Sequence, residues 1–199
     1  MQTAAGWLGR LARFDFTVFD EIRADRTATI SAIVIVFGAS FLAGMGSWLW
    51  AVFNRELSEL DRSEVLVKSF LIGMFVQTAV WFLWVYIVRW ILDWGYQIKV
   101  DALALVRTMG FAFAPVGFSV LVLIGGLALP IGLIAFGATL LLTTAAIQSA
   151  SEAEMREAMV ANLAGFAAFL IVMGGFANIA EVGTFGGLAP GILFFSLDL

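Results

Sequence analysis

Lys68 and Ser69 stand side by side, and carboxylates gather in three groups: Glu56, Glu59, Asp61 and Glu64; Asp93 and Asp101; Glu152, Glu154 and Glu157. With no histidine and no cysteine in the chain, Ser-His and Cys-His devices are impossible, and a Ser/Lys pair is the nucleophile-and-base arrangement that remains. Adjacent residues on a helix point apart, however, so Lys68 at a helix start reads as a snorkelling anchor rather than a base. The same two absences remove the usual nitrogen and sulfur ligands of zinc, haem and iron–sulfur clusters. The glycines at 183–191 lack the strand-turn-helix setting of a phosphate cradle and read as a flexible turn. No catalytic residue, metal ligand or cofactor-binding residue is assigned, and no cofactor is expected.

A proton or ion pump keeps an ionisable group at membrane depth. Here the long neutral runs offer only amides and hydroxyls: Gln77 near the middle of one run, Asn162 and Gln148 closer to run ends. Interhelical hydrogen bonding is the expected role of these groups. The rival role is a polar cavity near Gln77, Asn162 and Pro115, as in a small transporter or channel.

The elements that must position these residues follow from charge spacing. The 199 residues are 62% hydrophobic and 13% charged, with a mean hydropathy of +1.00. Soluble domains carry about a quarter charged residues, so this composition points to a bilayer as solvent. Charges act as fences. Residues 27–54 form a neutral run of 28 residues, about 42 Å as a helix. Residues 69–88 give a second crossing, and 158–180 the last. The 44 neutral residues of 108–151 are long enough for two crossings with a reversal at 125–132, "GGLALPIG".

The expected fold is therefore an all-α, polytopic transmembrane helix bundle in one domain. Its five spans fall at about 27–53, 66–90, 106–127, 130–150 and 158–180 within a transmembrane domain of 27–181. Residues 1–26 precede it as a cytoplasmic or interfacial amphipathic helix, carrying Trp7, Leu8, Leu11, Phe14, Val18 and Ile22 at near-helical spacing. They do not read as a cleaved signal peptide. Residues 182–199 follow as an apolar extracytoplasmic tail. Eight Lys and Arg residues fall on one side of these spans against three on the other, so the N-terminus is expected inside and the C-terminus outside. Trp48, Trp50, Trp90 and Trp94 are expected in interfacial belts.

Small residues recur four apart: Ala39 and Ala43, Ser40 and Gly44, Ala161 and Gly165, Ala164 and Ala168. Such steps let helices approach closely where lipid supplies no hydrophobic drive. Pro115 is expected to kink the third span, with Gly110 and Gly117 easing the bend.

"VFDEIRADRTAT", followed by a Gly- and Ala-bearing first span, and "LVRTMGFAFAPVGF" opening the third, carry a resemblance. Arg107, Gly110, Phe111, Ala114 and Pro115 follow in the order of an Arg and a Gly-aromatic-small-small-Pro run. In these stretches the chain resembles the Yip-domain family of five-span membrane proteins, named for interacting with Ypt/Rab GTPases. The resemblance covers roughly residues 18–180. It implies a non-enzymatic protein of membrane organisation or trafficking that acts by binding other proteins. With 26 residues before the first span, the chain is similar to the shorter prokaryotic branch, which places it in a bacterial cytoplasmic (inner) membrane.

The charges before the first span have two readings. The cluster Asp20, Glu21, Arg23, Asp25 and Arg26 is expected to mark a turn from surface helix into span, with Asp20 and Arg23 pairing and Asp25 capping the new helix. The second reading is a docking patch made with Arg89, Asp93, Lys99 and Asp101. Expected partners are the lipid bilayer and other membrane proteins, as a complex subunit or homo-oligomer. The net charge of −4 argues against nucleic acid.

Overall fold

The computed structural model describes residues 3–53, 63, 66–124 and 127–180. Glu56, Glu59, Asp61 and Glu64 of the first connector, Gly125 and Gly126 of the expected reversal, and the tail 182–199 lie outside the described residues. Among the described residues all regular structure is helical. The helices are α1 (Ala4–Leu11), α2 (Val18–Ala24), α3 (Ala28–Phe53), α4 (Gly73–Trp90), α5 (Ala102–Ala112), α6 (Ala128–Ser151) and α7 (Met155–Ile179). A π-helical stretch, Leu66–Ile72, leads into α4 and another, Ile91–Gly95, leaves it; a 3-10 helix, Ala114–Leu123, follows α5.

Five segments are long and apolar enough to cross a membrane: Ala28–Trp50, Leu66–Gly95, Ala102–Leu123, Ala128–Ser151 and Met155–Ala177. The fold class is all-α with multi-pass transmembrane character. Two starts differ from the charge-fence reading, for local reasons. Asp101 accepts the Leu103 N–H at 3.1 Å and starts α5 there, which puts Arg107 inside the helix. The Glu157 carboxylate accepts the Glu154 N–H at 3.0 Å, so α7 begins with Arg156 and Glu157 in its first turn. Pro130 falls in the first turn of α6, where its missing N–H is tolerated.

At Pro115, where a kink is expected, the helix changes type. The α-helix stops at Ala112 and a tighter 3-10 helix takes over from Ala114. Proline has no N–H to continue the ladder and disfavours the α conformation in the residue before it. Gly110 serves packing. A Cβ there would lie 2.7 Å from the Ala32 Cβ, so α3 and α5 touch through it.

Two compact units divide the chain: Met1–Val36, Phe82–Ala114 and Thr139–Ala167 form the first, and Phe37–Trp81, Pro115–Ala138 and Ala168–Leu199 the second. In the first, α2 packs on α1 and α5, and the Trp7 ring meets Phe111 edge-on at 5.5 Å. Phe19, Ile22, Trp84, Leu105, Met109 and Phe113 are fully buried. In the second, α3 approaches the π-helical stretch so closely that a Cβ on Gly44 would lie 3.0 Å from the Ser69 carbonyl oxygen. Phe41 packs on Phe70 at 4.9 Å and Phe37 on Phe75 at 5.6 Å along the same seam. Gly46 gives the 3-10 helix similar access, with the Ser119 carbonyl oxygen 2.5 Å from where its Cβ would be. Trp50, Val122 and Ala128 form a small buried cluster flanked by Trp48 and Ile131.

Candidate functional site

The charged N-terminal segment is two short helices, not one. Thr3 caps α1 by accepting the Gly6 N–H at 3.3 Å. The chain then reverses through Phe14, whose φ of 59° lies in the left-handed region. Arg10 organises this turn. Its Nε donates to Asp15 Oδ2 at 2.7 Å, Nη1 to Glu21 Oε1 at 2.6 Å and Nη2 to Thr17 Oγ at 3.1 Å. Asp15 also accepts from the Thr17 hydroxyl at 2.6 Å and its N–H at 3.2 Å. The Thr17 hydroxyl and then the Arg10 guanidinium hold the Asp15 carboxyl below its ordinary value. Of the apolar face expected from spacing, Trp7, Leu11, Val18 and Ile22 are buried within the protein, Leu8 is half-buried and Phe14 alone is exposed, so most of that face is covered by the chain itself.

The cluster at residues 20–26 is largely consumed by internal bonds. Asp20 and Arg23 do not pair with each other; both reach the end of α6. The Ser149 hydroxyl donates to Asp20 at 2.7 Å. Arg23 Nη1 donates to the Ser149 carbonyl at 2.5 Å and to Glu152 at 3.1 Å. Asp25 Oδ1 accepts the Thr27 N–H at 2.8 Å and its hydroxyl at 2.6 Å, the turn that admits α3 one residue later. These two bonds, with a smaller pull from Arg107, lower the Asp25 carboxyl below its ordinary value. Arg26 is exposed. Arg89 is exposed on the last turn of α4 and Asp93 is half-buried. Among the described residues no ion pair joins either to the cluster.

Of the small residues singled out from spacing, Ala39, Ala43, Gly44, Ala161 and Gly165 are all buried. Gly165 lies where the Trp84 indole passes, its absent Cβ position overlapping the ring and 2.9 Å from Nε1. That indole N–H donates to Asn162 Oδ1 at 3.1 Å. The Asn162 Nδ2 group donates to the Leu140 carbonyl and to the Thr143 and Thr144 hydroxyls at 3.0, 2.9 and 2.8 Å. Asn162 thus joins α4, α6 and α7 within the first unit, as interhelical hydrogen bonding requires. Gln77 is different: it is 1% exposed and its Nε2 has no hydrogen-bond partner. Ser40, Ser69 and Ser119, buried in the same second unit, also hold unpartnered hydroxyls.

Lys68 donates to the Ala180 carbonyl at 2.8 Å, beyond the end of α7, whereas the Ser69 hydroxyl has no hydrogen-bond partner. The two do not form a base–nucleophile pair. Trp90 and Trp94 are exposed and stacked at 6.5 Å, while Trp50 is buried at 2% exposure and departs from the expected belt. The residue that charge spacing missed is Arg107. Its side chain is 8% exposed, its Nη2 lies 3.6 Å from Asp101, and its Nε has no partner. An Arg near a neutral run looked like a fence; the Asp101 cap four residues before Leu105 was the signal that the helix starts earlier.

No protein-family profile, curated protein or solved structure matches the chain.

Proposed function

We propose that the chain is a non-enzymatic, Yip-domain-like integral membrane protein that works by lateral helix association. In this reading it is a membrane-organising factor or an accessory subunit of a larger assembly in a bacterial inner membrane, with its N-terminus inside. The observation that carries the reading is a contrast among glycines. Gly44, Gly46, Gly110 and Gly165 are each taken up by a neighbouring element of the same chain. Gly137 in α6 and Gly175 in α7 are exposed, and a Cβ on either would meet nothing within 4 Å. Each sits among large exposed apolar residues, Leu133, Ile134 and Leu141 around the first, Ile171 and Ile179 around the second. A notch between bulky side chains is what a partner helix needs for close approach in lipid.

Purification in mild detergent tests this. A defined partner or second copy should accompany the wild-type protein and be lost from Gly137→Leu or Gly175→Leu variants that keep their thermal stability. A strictly monomeric wild-type particle with no companion chain contradicts it.

A second reading, a small transporter, is favoured by the unpartnered Gln77 Nε2 and the Ser40, Ser69 and Ser119 hydroxyls, because buried polar groups ordinarily find partners. It predicts solute flux in liposomes that Gln77→Leu abolishes; no flux across a panel of neutral and ionic solutes retires it.

A further inference from the structure

We propose that Phe14 and Phe16 form a lipid-inserting tip, seated in the headgroup boundary of the leaflet from which α3 departs, and that the lipid surface it fits is anionic. Every other large apolar residue of the turn and of α2 is accounted for by the core: Leu11, Val18, Phe19 and Ile22 are buried. Phe14 is 78% exposed and Phe16 42%, their rings in edge contact at 6.3 Å. The polar residue between them is turned away, since Asp15 is held by Arg10 and Thr17. The backbone is constrained to match. Phe14 N–H donates to the Leu11 carbonyl at 3.0 Å and Asp15 N–H to the Arg10 carbonyl at 3.1 Å, with Phe14 itself at a φ of 59° that a bulky residue adopts at a cost. Glycine or asparagine would relieve that cost; an exposed phenylalanine does not serve the fold.

Lipid is the occupant because of where the tip lies in the chain. Thr17, the seven residues of α2, about 10 Å of helix, and residues 25–27 are all that separate it from Ala28, the first residue of a membrane-crossing segment. The same unit carries a second exposed aromatic pair, Trp90 and Trp94, at the C-terminal end of the crossing segment Leu66–Gly95, as aromatic belts do. Charge selects the lipid: Arg13 beside the tip and Arg26 at the α3 entry are exposed, and cationic residues at the headgroup level favour anionic leaflets.

Because the chain contains no cysteine, a single spin label can report depth in the intact protein. Phe14→Cys and Phe16→Cys proteins are labelled separately in nanodiscs of neutral lipid and of neutral lipid mixed with phosphatidylglycerol. Ala5→Cys, on exposed α1 surface, is the aqueous control. The expected result is an oxygen-to-nickel-chelate collision ratio severalfold above the control at both tip positions, rising further with phosphatidylglycerol. An Arg13→Gln background should remove that rise. A ratio equal to the control places the tip in water and overturns the proposal. Protection from both collision agents places it against protein and also overturns it. Equal ratios in the two lipid compositions overturn the anionic assignment.

Discussion

The Trp84 indole N–H donates to Asn162 Oδ1 at 3.1 Å, and the Asn162 amide donates onward to three acceptors on α6. One side chain therefore closes a buried polar network across three helices. Asn162→Leu leaves the indole N–H without its acceptor in an apolar surrounding. It is expected to lower unfolding stability in detergent by about 1–3 kcal/mol, and Trp84→Phe by less. The double variant should fall short of the sum, since both changes break the same bond. Full additivity contradicts the network.

Gly165 and Gly137 make a paired test of internal against external packing. A Cβ at 165 overlaps the Trp84 indole, whereas one at 137 meets nothing. Gly165→Ala should cost about 1–3 kcal/mol through forced repacking, and Gly137→Ala should leave thermal stability unchanged or slightly raised, given alanine's helix propensity. Equal responses would mean that the α4–α7 contact is not as close as described.

Acid should loosen the N-terminal pair of helices. The Asp15 carboxyl is held below its ordinary value of 3.8 by Thr17 and then Arg10. A depressed folded pKa contributes stability that is present above that ordinary value and is lost as pH falls through the lower, folded one. Asp25 behaves alike through Thr27. Protease cleavage within residues 12–17 is therefore expected to be slow at pH 5 and to accelerate below about pH 4, using an acid protease. Asp15→Asn should abolish most of that dependence and cleave readily at both values. A flat wild-type profile contradicts the pinning role.

Arg107 is expected to be dispensable for stability. Its pairing with Asp101 spans 3.6 Å and its Nε is unpartnered, so desolvation of the guanidinium is poorly offset. Asp101 is 64% exposed and loses little when left alone. Arg107→Met should unfold at the same temperature as the wild type or higher. A marked fall would show that Arg107 stabilises the fold beyond its pairing with Asp101.

The five crossing segments were legible because neutral runs longer than a hydrocarbon core leave few alternatives in this composition. Gly44 and Gly165 were legible as contact points because four-residue steps put small residues on one helix face. What spacing could not show was which face meets protein and which meets lipid. Trp7, Leu11 and Ile22 have the pattern of a surface helix, yet they are buried; amphipathicity says that an apolar face exists, not what covers it. Nor could it show that Asp20 and Arg23 reach Ser149 and Glu152, 129 residues away. Local i,i+3 pairing is the default only when no distant partner competes. Arg107 escapes charge spacing because a helix capped at Asp101 carries that charge inside.

Lateral association is tested most directly by placing a photo-reactive amino acid at position 137 or 175 and irradiating native membranes. A discrete adduct with another polypeptide or a second copy is expected from at least one of the two positions, and none from a reporter at the exposed residue Tyr86. Adducts with lipid alone, from both positions, would contradict it.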